Sequence, residues 1–441
     1  MRQPGNTIKY GLLLLLVYSL LLSGCRSGSA EKNESVSGSA GKTKSCEISS
    51  EAITVPSRPA LINASPVPDE RVSVRRQGCS NFWTLSETGI YVLAQEKTGY
   101  YILYCDYESD RFIKLCSRPD CAHNNKNCDA FLGKMMYSAL GYYNGKLYYT
   151  VEGPINPESY HRGPMSIWYM DPDGRNKTLV TYLQTKEEAE KTPGFSDPCF
   201  VDAYFYVGTC HLDENGEMFD VQQYCSLDRP SLLQDAAPSK TFTSKGATGN
   251  GIIISNHGTE MLLWDFNYDS AATEAGERDS FQKLYSWNAA DNSIHLVCEC
   301  DRQGGYYTDE YRYGCDDGVI FRQKYHSGER EILGDTGCRG QMSFTALPDC
   351  IMLSDRGSKE ADSAGIYFYD WDCRPLGEYR FRFEQNIFFL GFAVSETKNR
   401  ILLDPDVSST LPRYYIEKSD LGTGHITLHE YQYPEMDLIG K

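Results

Sequence analysis

From about residue 80 onward the chain is written in short apolar runs separated by polar turn clusters. At Tyr142-Tyr143-Asn144-Gly145-Lys146-Leu147-Tyr148-Tyr149 a turn pair feeds a run of strand-forming residues. A second run, Ile167-Trp168-Tyr169-Met170, stops at Asp171, turns through Pro172-Asp173-Gly174 and resumes at Thr178-Leu179-Val180. The unit is a strand, a second strand, a tight hairpin and a third strand. Its opening recurs, with a turn residue ahead of Ile90–Leu93, Leu147, Tyr204–Val207, Ile252–Ile254, Val319–Phe321, Ile351–Leu353 and Ile401–Leu403. The second, aromatic-rich strand recurs as Ile102–Asp106, Ile167–Asp171, Tyr224–Asp228, Leu284–Asn288, Ile366–Asp370 and Tyr414–Glu417. Third strands follow at Phe112–Leu115, Ile294–Val297 and Ile426–Leu428. The fifth unit lacks a clear second strand, and Glu331-Ile332-Leu333 stands in for it.

Six intervals between Ile90 and Ile401 give a mean spacing of about 52 residues, within the range of propeller blades. No long 3.6-residue periodicity follows Leu22; Thr185–Lys191 holds one or two helical turns. Short strands with turn signals suit a sandwich, a barrel or a propeller, and a sustained period near 50 favours the propeller. The expected fold is therefore an all-β propeller over residues 67–441, with seven blades preferred and six to eight compatible. Phe82-Trp83-Thr84, ahead of the first unit, is expected to supply the outer strand of the last blade.

The N-terminus carries a different pattern. Arg2 and Lys9 precede an apolar run, Leu12 to Leu22, too short for a comfortable transmembrane helix and right for a signal peptide. Residues 26 to about 66 are rich in Ser, Gly, Lys and Glu, then in Pro, and read as a tether that cannot bury enough to fold. A coil of that length would reach roughly 35 Å.

Composition changes this picture in two respects. Tyrosine is abundant, at 32 residues, in keeping with strands. The formal charge is −17, and −19 once residues 1–24, with two cations and no acid, are removed. Such a chain repels nucleic acid and anionic membrane surfaces, so no nucleic-acid partner is expected.

Four residues of metal-ligating type lie together at Cys116, Cys121, His123 and Cys128, a C-x4-C-x-H-x4-C spacing that matches no common zinc module. Thiolate and imidazole are zinc donors, and four of them make a closed, structural site. Disulfides, with Cys105 as a further partner, and free thiols remain open as alternatives. Fifteen cysteines follow Cys25, an odd number that disulfides within one chain cannot exhaust. Cys298 and Cys300 are too close for an easy mutual bond and read as small hydrophobes in strands.

Other candidates are weaker. Asp171, Asp173 and Asn176 form half of a calcium-loop pattern without its closing Glu, and read as a hairpin turn. The acidic run Asp301, Asp309, Glu310, Asp316 and Asp317, with Tyr306, Tyr307 and Tyr311, could bind a sugar or a cation, or be a solvated loop. Trp264-Asp265 and Trp371-Asp372 lack the Gly-His partner of WD repeats. No Gly-x-Ser-x-Gly elbow is present.

Three resemblances follow from these residues. Leu22-Ser23-Gly24-Cys25, after the basic and apolar segments, resembles a bacterial lipobox. That implies cleavage after residue 24, a diacylglycerol on Cys25, and membrane anchoring at the extracellular face of the cell membrane. The stretch Ser166–Asn176, with its Ile-x-Tyr-Met-Asp strand and Asp-Gly turn, resembles the repeat of TolB-like propellers, which implies a propeller and usually a binding role. The lipobox, the cysteine cluster with Pro119 and Asp120, and the propeller together resemble surface lipoproteins of Gram-positive bacteria, a likeness that brings no activity with it. The domain plan is a signal peptide over 1–24, lipidated Cys25 with its disordered tether over 25–66, and a propeller over 67–441. The expected role is binding an extracellular glycan, peptide or protein partner. The alternative is a glycan-active hydrolase or lyase using carboxylates at the propeller channel.

Overall fold

The computed structural model describes residues 72–73, 82–124, 126–135, 138–154, 163–192, 194–212, 218–237, 252–268, 280–300, 306–308, 310–325, 327–340, 342–355, 363–382, 393–404 and 411–436. The segments expected to be signal peptide and tether, with Cys25, and the acids Asp301 and Asp309 lie outside the described residues.

The described chain forms seven antiparallel sheets, each a meander of four consecutive strands. They span residues 83–133, 140–182, 194–235, 252–300, 306–335, 342–382 and 393–430, numbered here as blades 1 to 7. The first strand of each blade is innermost, and those of blades 1, 2 and 3 pack on one another in turn. Val72–Ser73 adds a fifth strand to blade 4, pairing antiparallel with Ser255 and Asn256. Among the described residues the one α-helix, Lys186–Lys191, is capped by Thr185, whose side chain and that of Glu188 satisfy each other's backbone N–H.

The turn chemistry works as its residues require. Asn144 and Gly145 both take positive φ, 46° and 72°, the geometry of a two-residue hairpin matched to strand twist. Asp317 and Gly318 do the same, at 49° and 82°.

Among the described residues seven apolar clusters hold the structure, and each lies between two successive blades. One joins Ile90, Val92, Leu103 and Phe112 of blade 1 to Leu402, Tyr415 and Tyr431 at the end of the chain. The ring is therefore closed, and the protein is a seven-bladed β-propeller. Buried tyrosines fill these interfaces: Tyr91, Tyr101, Tyr149, Tyr206, Tyr306, Tyr313, Tyr367 and Tyr369 are all core residues. The abundance of tyrosine is thus spent on packing blades together, through broad rings that interdigitate between sheets.

Several strand assignments are corrected. Trp83–Leu85 is the innermost strand of blade 1, paired with Ile90–Val92, and not the outer strand of blade 7. Closure is made instead by the C-terminal segment: Phe112 N–H donates to Gln432 O at 2.8 Å, and Gln432 N–H donates to Asp110 O at 2.8 Å. In blade 5, Tyr311–Asp316 is the second strand, Val319–Lys324 the third and Arg330–Asp335 the outermost, so Glu331–Leu333 stands in for nothing. In blade 4, Ile252–His257 is the inner strand and Glu260–Tyr268 the second. Blade 7 ends in His429–Glu430, with Ile426 packed into the core ahead of it.

Candidate metal centre

The cysteine cluster sits inside the outer strand of blade 1, which is split in two. Ile113–Lys114 pairs with Leu103 and Tyr104, and Phe131–Gly133 pairs with Tyr100 and Tyr101 of the same neighbouring strand. Residues 115–130 leave the sheet between these halves and return. The excursion brings Cys116, Cys121, His123 and Cys128 together, with one sulfur or ring nitrogen from each within 4.8 Å of all the others. Cys128 is buried and the other three are partly so.

Local backbone geometry makes this possible. His123 adopts φ of 52°, a left-handed turn that lets its ring fold back over the loop. Its backbone N–H donates to Cys121 Sγ at 3.4 Å, and Arg118 donates to the same sulfur at 3.6 Å. These donors, the His123 amide first, hold the Cys121 thiol below its ordinary pKa. Cys128 Sγ lies 3.6 Å from His123 Nδ1, and burial pushes its thiol up to about 12. Cys116 Sγ lies 3.7 Å from Asp129 Oδ2. The described cysteines, these three included, are unbridged. Cys105, the further disulfide partner considered, packs in the blade 7–blade 1 interface, whereas the cluster belongs to the blade 1–blade 2 interface.

The loop is seated on the hairpin turn of blade 2. Arg175 donates to Ser117 Oγ at 2.8 Å, Lys177 Nζ donates to Asp129 O, and Tyr91 donates to Pro172 O at 3.2 Å. Gly174, at φ of 88°, leaves room for that approach: a Cβ there would lie 2.7 Å from Leu115 O and 3.3 Å from Asp129 O. Arg118, Asp129, Gly174 and Lys177 were not singled out as neighbours of the cysteines. The Asp-Pro-Asp-Gly motif was legible only as a turn, and nothing in the sequence pairs it with the loop.

The remaining candidates resolve into structure. Asp171 is engaged by the Lys146 ammonium and the Asn176 amide, and its backbone carbonyl accepts from Gly174 N–H at 2.9 Å, as a hairpin turn requires. Glu310 pairs with Lys324 at 2.7 Å, Asp316 with Arg330 at 2.8 Å, and Asp317 accepts from Gly340 N–H at 2.7 Å. The described members of the acidic run are therefore spent on internal partners. Trp371 donates its indole N–H to Leu347 O at 3.2 Å and is core. Cys298 is a buried member of a blade cluster, as a small hydrophobe should be. The side chains of Trp264 and Cys300 lie outside the described residues.

Fold and site together define a class: an antiparallel seven-bladed propeller whose first blade carries a thiol- and imidazole-lined loop. No family model matches the sequence, and no curated protein matches it. Among solved structures the chain is similar to TolB from Acinetobacter baumannii, at 10% identity over 68% of this chain and 65% of that one, with a TM-score of 0.26. This chain thus spans just under two thirds of that TolB chain. It is similar also to a polysaccharide lyase, ulvan lyase, at 10% identity over 83% and 94% of the two chains, TM-score 0.42. A third likeness is to the β-propeller domain of the Trilobed protease from Pyrococcus furiosus, at 9% identity over 80% and 100%, TM-score 0.36.

Proposed function

We propose that the protein is a lipid-anchored propeller at the outer face of a bacterial cell membrane, where it binds an extracellular glycan, peptide or protein partner. One observation carries this reading: a basic segment, an apolar run and Leu22-Ser23-Gly24-Cys25 stand ahead of a tether and a closed seven-bladed ring. Acylation of Cys25 places the chain on the membrane surface, and the tether gives the ring a reach of roughly 35 Å from its anchor. A propeller presents its inter-strand loops on two faces around a central channel, a rigid frame for a binding surface. The TolB-like stretch Ser166–Asn176 forms a hairpin of blade 2 and is in keeping with a binding role. The rival, a glycan-active hydrolase or lyase, needs two carboxylates, or an acid and a histidine, converging in one pocket.

The test has two arms. Cells expressing the full chain are fed radiolabelled palmitate, and intact cells are then treated with protease. Wild type is expected to take up label and be cleaved from outside, and Cys25→Ser is expected to lose the label. Absence of label in wild type, or protection from protease in intact cells with cleavage after lysis, overturns the anchoring. In the second arm the detergent-solubilised full chain is applied to glycan and peptide arrays. Saturable binding without turnover supports the module; release of new reducing or unsaturated sugar ends replaces it with the enzyme.

A further inference from the structure

We propose that Cys116, Cys121, His123 and Cys128 bind one zinc ion, closing a structural centre that pins the split outer strand of blade 1 to the hairpin turn of blade 2. The proposal does not depend on where the protein resides or what it binds.

The donor geometry is the first support. In a tetrahedral site with Zn–S near 2.3 Å and Zn–N near 2.05 Å, neighbouring ligand atoms are about 3.6 Å apart for sulfur and nitrogen, and about 3.8 Å for two sulfurs. Cys128 Sγ and His123 Nδ1 stand 3.6 Å apart, and all four ligand atoms fall within 4.8 Å of one another. A disulfide would instead hold two sulfurs about 2.05 Å apart, and it would leave the third cysteine and the inward-facing imidazole nitrogen without a purpose. Three thiolates and an imidazole are soft to borderline donors in tetrahedral array, which selects zinc over the hard cations calcium and magnesium.

The surroundings are the second support. Cys121 Sγ accepts from the His123 amide and from Arg118, the hydrogen bonds that orient a metal-bound thiolate and offset its charge. Three thiolates on a divalent ion leave one negative charge. Arg118 and Lys177, set against Asp129, return the neighbourhood to neutrality. Four protein ligands leave no open position, so the ion would organise structure and not react with substrate.

The third support is position. The excursion interrupts the outermost strand, where the sheet offers few hydrogen bonds to hold fifteen or so residues in place. A four-ligand centre supplies that order at one point. Its loop is the surface on which Gly174, Arg175 and Lys177 of the next blade rest. The ion therefore acts as a fastener between blades, and its binding energy is folding energy for this corner of the ring.

The experiment uses the full chain, purified in detergent without chelator. Elemental analysis is expected to find about one zinc per chain, and X-ray absorption at the zinc edge is expected to fit three sulfurs and one nitrogen. Cys121→Ser is expected to lose at least four fifths of the metal, and Cys105→Ser, in another interface, to keep it. Chelation is expected to open residues 115–130 to protease at a rate at least tenfold above the zinc-loaded chain, with re-addition of zinc restoring protection. Three results overturn the proposal: no metal in wild type even after incubation with excess zinc, a disulfide among the three cysteines by peptide mapping, or a metal shell without sulfur. Should Cys121→Ser fail to fold, the absorption spectrum of wild type decides alone.

Discussion

Replacing Phe112 by alanine tests whether the ring is closed by the C-terminal segment. The side chain is 1% exposed. It stacks on Tyr433 with centroids 4.7 Å apart and an interplanar angle of 5°, and meets Tyr431 edge-on at 5.3 Å. Its backbone N–H donates to Gln432 O, so the substitution leaves the strand contact intact and removes only the ring. Truncating a buried phenylalanine costs about 3–5 kcal/mol in lost transfer energy and cavity. That is a large share of the roughly 5–15 kcal/mol that holds a typical domain folded. With an unfolding entropy of ~2.1 cal/mol/K per residue, about 4 kcal/mol lowers the Tm of a propeller this size by about 5 °C. The assay is urea unfolding followed by tryptophan fluorescence, with a thermal scan alongside. A double-mutant cycle with Tyr433→Ala isolates the stacked pair and should return a coupling of about 0.5–1.5 kcal/mol. Ile113, the next residue, is 52% exposed, and Ile113→Ala should change stability by no more than about 0.5 kcal/mol. A Phe112→Ala loss below about 1 kcal/mol, or a coupling indistinguishable from zero, would refute closure through this contact.

Three further outcomes are expected. Gly174→Ala should cost about 1–3 kcal/mol, because a Cβ would strike Leu115 O at a positive φ, whereas Gly145→Ala, also at positive φ but with nothing within 4 Å, should cost about 1 kcal/mol; equal losses in urea melts would show that the loop is not seated on Gly174. Thr150→Val removes the buried hydroxyl that accepts from Ala139 N–H at 3.0 Å and should cost about 1–3 kcal/mol by equilibrium unfolding, a larger loss than surface Thr178→Val. The Lys146 ammonium, and then the Asn176 amide, hold Asp171 below the usual carboxylate pKa; the contact therefore stabilises above the unfolded carboxylate value near 3.9 and is lost as pH falls through the lower folded value. The Tm gap between wild type and Lys146→Met should be constant from pH 5 to 7 and shrink as pH falls below the unfolded carboxylate value near 3.9; a gap that does not shrink in acid would mean that Lys146 acts through packing alone.

The propeller was legible because two of its four strands per blade announce themselves. Asn144-Gly145 and Asp317-Gly318 carry the positive φ angles that tight hairpins need, and the aromatic strands after them recur at a near-regular period. Innermost strands give less signal where they are short and carry no turn pair of their own: Trp83–Leu85 and Tyr306–Tyr307 are three and two residues long, and the latter was missed. That omission explains the uneven spacing at the fifth unit. The turn Asp317-Gly318 joins the second and third strands there, so counting from it shifts the register of the blade by one strand. Closure was misassigned for a related reason. Phe82–Thr84 precedes the first unit and looked available as the outer strand of the last blade, but Trp83 is already committed to the strand at Ile90–Val92. What seals this ring is a set of side chains, Phe112, Tyr431 and Tyr433, and one parallel bridge between Arg111 and Gln432. Residues some 320 positions apart with no shared motif give no signal in a single sequence.

The cysteine cluster was legible as chemistry and not as place. Its residue types name their donors, but C-x4-C-x-H-x4-C does not say whether the loop folds on itself or reaches for a distant thiol such as Cys105. The fold decides between these through strand geometry. Cys105 lies on the strand Gly99–Asp106 with its sulfur directed into the interface with blade 7, donating to Asp106 O and Ser109 O. The loop faces blade 2. A sheet separates them, and no rotamer change brings a sulfur through it. The same topology explains why the centre needs the neighbouring blade. A loop that bulges from an outermost strand has few hydrogen bonds of the sheet to hold it, and the blade 2 hairpin receives it through Arg175 and Lys177. Gly174 is what that turn contributes: not a ligand, but the absence of a side chain where two backbone carbonyls must pass.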